Sequence, residues 1–201
     1  MRSDSIVFAV AGMCFGVILG WVIGVQQAGQ TSSALTTTVP AGEAAGSAAP
    51  QAPPLDEARV QSLMTVIKND PENAGAALEL ANMYFDAQQY TDAITWYEES
   101  LRIDPSNPDA STDLGVSYYY SGSTDRALEQ FDVSLTIDPR HTETMLNQGI
   151  VLAFGREDLA GAQAAWQAVV ALAPDSPEGQ AASQMLEGIS AAGHDVISPG
   201  G

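Results

Sequence analysis

Residues 80–105 read LANMYFDAQQYTDAITWYEESLRIDP, and residues 114–139 read LGVSYYYSGSTDRALEQFDVSLTIDP. Laid over each other with an offset of 34, they share a leucine followed by a small residue, Leu80-Ala81 and Leu114-Gly115, and then Tyr84 and Tyr118. An alanine follows, Ala93 and Ala127, then an aromatic residue, Tyr97 and Phe131, then Asp104-Pro105 and Asp138-Pro139. Working outward, Asp70-Pro71 lies 34 positions before the first of these prolines. Downstream, Gln148-Gly149-x-x-Leu152, Ala162, Trp166 and Pro174 make a third copy with one extra residue, expected in the turn at 155–159. A fixed period of 20–50 residues marks stacked supersecondary units that bury their apolar faces only against neighbours. A helix interior rejects proline, so Pro71, Pro105, Pro139 and Pro174 each mark the end of a helix.

These residues resemble the tetratricopeptide repeat (TPR), with its L-G-x-x-Y on a first helix, A-x-x-x-F on a second and a closing proline. The resemblance covers about 74–107, 108–141 and 142–175. Leu55 to Asp70-Pro71, with Leu63, Val66 and Ile67, reads as half a repeat over 55–73. Residues 177–192, with Ala181, Met185, Leu186 and Ile189 on one stripe, read as a closing helix. The resemblance therefore implies an all-α, right-handed helical solenoid over 55–192, three helix pairs with a flanking helix at each end, and a disordered tail at 193–201. Gly115, Gly149 and Ala81 are small where the first helix of a pair crosses the second. Tyr84, Tyr97, Tyr118, Phe131 and Trp166 are expected to fill the space between successive pairs.

Transferring the family's groove-facing positions gives Leu78, Asn82 and Phe85 from the first repeat. The second repeat gives Thr112, Val116 and Tyr119, and the third Leu146, Asn147, Ile150 and Ala153. Such a groove is mainly apolar. The three first helices contain no Lys or Arg, and Glu79, Asp86, Asp109, Asp113 and Glu143 stand on them instead. That set does not suit a clamp for a peptide's terminal carboxylate, and it favours an apolar or basic protein segment. Plain solubility is the competing account of the acids.

Before the repeats, Ile6 to Val25 is a run of twenty residues without a charge. As a helix it would rise about 30 Å, the thickness of a bilayer's hydrocarbon core. It reads as a single N-terminal transmembrane anchor over 1–25. Arg2 precedes it and the next basic residue is Arg59, so the N-terminus is expected in the cytoplasm and the repeats outside it, in the periplasm of a Gram-negative cell. Gly12, Gly16, Gly20 and Gly24 form a ridge of small residues of the kind that lets membrane helices pack closely, with a second copy as a homo-oligomer or with another membrane helix. Residues 26–54, rich in Ala, Ser, Thr and Pro with no apolar periodicity, read as a flexible linker.

Composition closes off several functions. The 201-residue chain has 7 basic and 25 acidic residues, a net charge of −18, so a phosphate backbone would be repelled and nucleic-acid binding is excluded. One cysteine, Cys14, forms no internal disulfide, and two histidines, His141 and His194, do not make a metal cluster of the usual spacings. His141, although next to Thr142, opens a predicted helix, His194 lies in the tail, and no glycine-rich phosphate loop is present. No catalytic residue, metal or cofactor is expected. The leading expectation is a non-enzymatic, membrane-anchored adaptor binding a protein or peptide. Two alternatives stay open. One is a resemblance to the TPR subunit of bacterial cytochrome c maturation, on anchor, linker, three-repeat head and the terminal Trp166-x-x-Val169-Val170-x-Leu172-x-Pro174, although that subunit commonly has two membrane helices. The other is an oligomeric scaffold assembled through the glycine ridge.

Overall fold

A computed structural model describes residues 52–197 of the chain. Among them lie eight α-helices and no strand: α1 Glu57–Asn69, α2 Ala74–Asp86, α3 Tyr90–Ile103, α4 Pro108–Tyr120, α5 Thr124–Ile137, α6 Thr142–Gly155, α7 Leu159–Leu172 and α8 Pro177–Ile197. The expected membrane span with Gly12, Gly16, Gly20 and Gly24, and the linker up to residue 51, lie outside the described residues. Among the described residues no helix is long and apolar enough to cross a membrane.

Local chemistry sets the helix ends. Asp56, Asn73, Asn107, His141 and Asp158 each accept the backbone N–H three residues on, satisfying a donor that the helix itself leaves open. Pro108 opens α4, where its missing N–H costs nothing. The extra residue of the third repeat does not sit in the turn. It lengthens α6 to 14 residues against 13 in α2 and α4. The last turn of α6 absorbs it by widening: Arg156 N–H bonds the Val151 carbonyl five residues back, where Ala87 and Ser121 bond Met83 and Ser117 four back. The three turns then share one left-handed residue at equivalent places, Gln88, Gly122 and Glu157.

Packing follows the pairs, α2 on α3, α4 on α5, and α6 on α7, with α1 against α2 and α8 against α7 and α6. Ala81, Ala93, Ala127 and Ala162 are all fully buried, and Leu80, Tyr97, Phe131 and Trp166 fill the core. Burying each of these large side chains contributes about 2–3 kcal/mol. Phe131 and Trp166 lie over the glycines of their own pairs, which corrects the expectation that they lie between pairs. A Cβ on Gly115 would stand 2.5 Å from the Phe131 ring, and one on Gly149 would stand 2.6 Å from Trp166 Cδ1. The indole Nε1–H donates to the Leu146 carbonyl at 3.1 Å.

Both flanks differ from expectation in register. In α1 the buried stripe is Val60 and Leu63, with Ile67 half-buried a turn further on, while Val66, one position off that stripe, is exposed. In α8 Ala182, not Ala181, is the buried small residue beside Met185. The helix continues five residues past 192, into the expected tail, as far as Ile197, the last described residue.

Candidate functional site: the face of the first helices

Curvature is set by which helices approach their equivalents in the next pair. Helix α4 touches α6 and α6 touches α8, whereas the second helices α3, α5 and α7 make no comparable approach to one another. Helices α4 and α6 therefore lie on the inner side of the curve, and α2 is the equivalent first helix of its own pair. Leu78, Phe85, Val116, Tyr119, Leu146 and Asn147 are all half-buried on these helices, and Asn82 is exposed. Two of the groove residues expected from the sequence, Thr112 and Ile150, are buried, as is Ala153, and they offer no surface to a ligand. Thr112 is turned between helices, where its hydroxyl donates to the Pro108 carbonyl at 2.8 Å and bonds the Ser134 and Thr144 hydroxyls at 3.0 and 2.6 Å.

The side chain next to Thr112 takes its place. Asp113, Val116 and Tyr120 are at i, i+3 and i+7 on α4 and share one face, about 100° round the helix from Thr112. Asp113 is half-buried, and its carboxyl is pushed up to about 7, first by loss of water and then by the negative charges of Glu143, Asp109 and Asp86. The nearby Tyr97 hydroxyl opposes that shift in part. The Tyr97 hydroxyl, reaching through from α3, donates to Asn82 Oδ1 at 2.6 Å, so the exposed Asn82 amide is positioned rather than free. Burial also raises Asp86 and Glu143, and Asp109 and Glu178 add to the effect on Glu143.

Of the acids on this face, Glu79 is neutralised by an ion pair with Arg59 of α1. The other arginine pairs lie elsewhere: Arg102 with Glu72 and Glu99, Arg126 with Glu98, and Arg156 with Asp125. Asp86, Asp109, Asp113 and Glu143 thus form a negative centre with no Lys or Arg on the helices that carry it.

At the C-terminal ends of α2 and α4 stands an aromatic cluster that the sequence reading named only in part. Tyr90 and Tyr120 stack with centroids 4.9 Å apart and planes at 17°. Phe85 meets Tyr90 and Tyr120 edge-on at 5.6 and 6.4 Å. Tyr119 tilts against Tyr120 at 5.6 Å. Each ring is half-buried, and loss of water with the neighbouring tyrosines pushes Tyr120 up to about 12. The stripe Asp113–Val116–Tyr120 was the available signal for Tyr120; Tyr90 joins it only because the α2–α3 turn folds back.

One further constellation became visible only in three dimensions. Asp109, His141 and Glu143 bring one ligand-type atom each within 4.8 Å of one another. The Thr144 backbone N–H donates to His141 Nδ1, which caps α6 and leaves the ring proton on Nε2, 2.8 Å from Asp109 Oδ1. A metal at Nε2 would have to displace that proton and the bond it makes. The trio therefore reads as a helix cap whose neutral ring donates its Nε2–H to Asp109.

A TPR repeat family model matches residues 81–122. The chain is 25% identical to the first TPR domain of human RPAP3 over 62% of this chain and 95% of that one, with a TM-score of 0.55. The first TPR of Spaghetti (RPAP3), solved bound to the HSP90 peptide SRMEEVD, is 25% identical over 61% of this chain and 94% of that one, with a TM-score of 0.54. The Sgt2 TPR domain from Aspergillus fumigatus is 21% identical over 64% and 86%, with a TM-score of 0.55, a likeness of fold. No curated protein matches the sequence. The architecture is the TPR solenoid, a fold of protein–protein interaction adaptors.

Proposed function

We propose that this chain is a non-enzymatic adaptor that holds an extended protein segment, basic and apolar in character, on the inner face of its TPR solenoid. The observation that carries the reading is the set Asp86, Asp109, Asp113 and Glu143, none of them paired with a Lys or Arg, beside aromatic rings on helices that carry neither. Charge of one sign on a concave, partly dehydrated face selects the opposite charge in a partner and penalises its own. The peptide SRMEEVD of the Spaghetti (RPAP3) complex carries three acidic residues and one basic one. A groove of this charge should reject it.

The apolar span at 6–25 and the linker behind it support a membrane-tethered adaptor whose repeats stand on the extracytoplasmic side. The glycine ridge supports association of that span with itself. Presentation of an apocytochrome would be a special case of the same groove function, resting on the chain's order of parts alone.

Fluorescence polarisation of the full chain with labelled peptides tests the proposal. A lysine- and phenylalanine-containing peptide should bind, SRMEEVD should not, and Phe85→Glu together with Tyr119→Glu should abolish capture. SRMEEVD binding as tightly as the cationic peptide would overturn it.

A further inference from the structure

The negative centre and the aromatic cluster are two different seats, and α4 fixes the distance between them. Asp113 and Tyr120 are seven residues apart on one face of the helix, which at 1.5 Å per residue is about 10 Å. A bound chain in the polyproline II conformation rises about 3.1 Å per residue and returns its side chains to the same side every third residue, so three residues bridge the seats with both side chains facing the groove. We infer that the groove reads a register: a lysine or arginine on the carboxylate of Asp113, and an aromatic or branched apolar residue three positions away, in i,i+3 spacing, on the Phe85–Tyr90–Tyr120 rings. This rests on the adaptor reading above and adds to it the partner's spacing and the residue that reads its charge.

The two seats differ in chemistry. Asp113 is walled by acids from separate elements: Asp86 of α2, Asp109 of its own helix and Glu143 of α6, with the Tyr97 hydroxyl of α3 nearby. His141 and Glu178 act on Glu143 and not on Asp113 directly. A cation entering here relieves repulsion between the half-buried Asp113 and Glu143 and the exposed Asp86 and Asp109, and beside the two half-buried carboxyls its attraction is screened less than on an open surface. The rings offer half-buried faces with no charged group among them, which suits an apolar side chain. An acidic ligand meets repulsion at the first seat, and a purely apolar one leaves the Asp113 site uncompensated.

Binding a cation at Asp113 favours the ionised carboxylate, so binding and proton release are linked. Because the free carboxyl titrates at about 7, affinity should rise with pH through neutrality and level off above it. Below neutrality it should fall by up to about tenfold per pH unit.

The test uses the full chain and three labelled peptides of identical composition, one lysine and one phenylalanine among glycine and serine. The two residues are placed at i,i+1, at i,i+3 and at i,i+6, so that general attraction to the acidic chain is equal. The i,i+3 peptide should bind at least tenfold more tightly than either other. Asp113→Asn, with helix content checked by circular dichroism, should abolish that preference and the pH dependence, while Glu129→Gln on the outer helix α5 changes neither. Equal affinity for the three peptides, or a preference that survives Asp113→Asn, would overturn the register and leave the adaptor reading standing. No binding of any of the three would overturn both.

Discussion

Replacing Asp113 by asparagine should make the protein more stable at alkaline pH, the opposite of what removing a charged residue from an ion pair does. The carboxyl is raised from its usual 3.8 to about 7 by burial and by Glu143, Asp109 and Asp86. A carboxyl that holds its proton more tightly folded than unfolded gives its full stability at low pH. It loses that stability as pH rises from about 4 to about 7 and is level above. At 1.36 kcal/mol per unit, the penalty in the parent is about 4 kcal/mol at pH 8, more than half of which accrues between pH 5 and pH 8. Asp86 and Glu143 shift in the same direction and add to the slope. Glu99 and Asp104, held low by Arg102 and Ser106, shift the other way but sit in solvent. Asparagine keeps the shape and stays neutral; setting about 1 kcal/mol against it for an altered contact with Tyr97 leaves a gain of about 3 kcal/mol at pH 8. Urea unfolding followed by far-UV circular dichroism at several pH values between 5 and 8 measures this. A variant with the parent's pH slope, or one less stable than the parent at pH 8, would refute the account of Asp113 as a half-buried, mutually repelled carboxyl.

Gly149→Ala should destabilise by about 1–3 kcal/mol, seen as a lower thermal midpoint, because the new methyl enters the space of the Trp166 indole; Gly115→Ala should do the same against Phe131. Thr144→Val removes a buried hydroxyl bonded to Thr112, Ser134 and His141, and should cost about 1–3 kcal/mol in urea unfolding. Asn107→Ala removes the side-chain cap of α4 and should cost about 1 kcal/mol, measured in the same way.

Most of the fold was legible in the chain because its signals are local and repeated. Pro71, Pro105 and Pro139 and the Ala and aromatic positions recur at a constant interval, and each demands the same helix end or crossing wherever it occurs. Some of the misreadings fall where one copy departs from the others. The extra residue near Gly155 has the same sequence spacing whether the turn or the helix takes it, and only the bond from Arg156 N–H to the Val151 carbonyl tells them apart. Leu78, Asn82, Phe85, Val116, Tyr119, Leu146 and Asn147 were placed on the first helices by transfer. Thr112 and Ile150 came with them, although their neighbours hold them inside.

The sequence by itself determined the helices, their number and their pairing, since capping, proline exclusion and the small-against-large pattern act within a few residues of each position. It also determined that the first helices carry acids and no bases. Only the tertiary structure decided that four of those acids share one centre, that Arg59 reaches over to neutralise Glu79, and that Tyr90 stacks on Tyr120. The reason is electrostatic and steric. A carboxyl's proton affinity depends on how much water and which charges surround it, and those neighbours come from α2, α3 and α6, brought to Asp113 by the stacking of repeats and not by proximity along the chain.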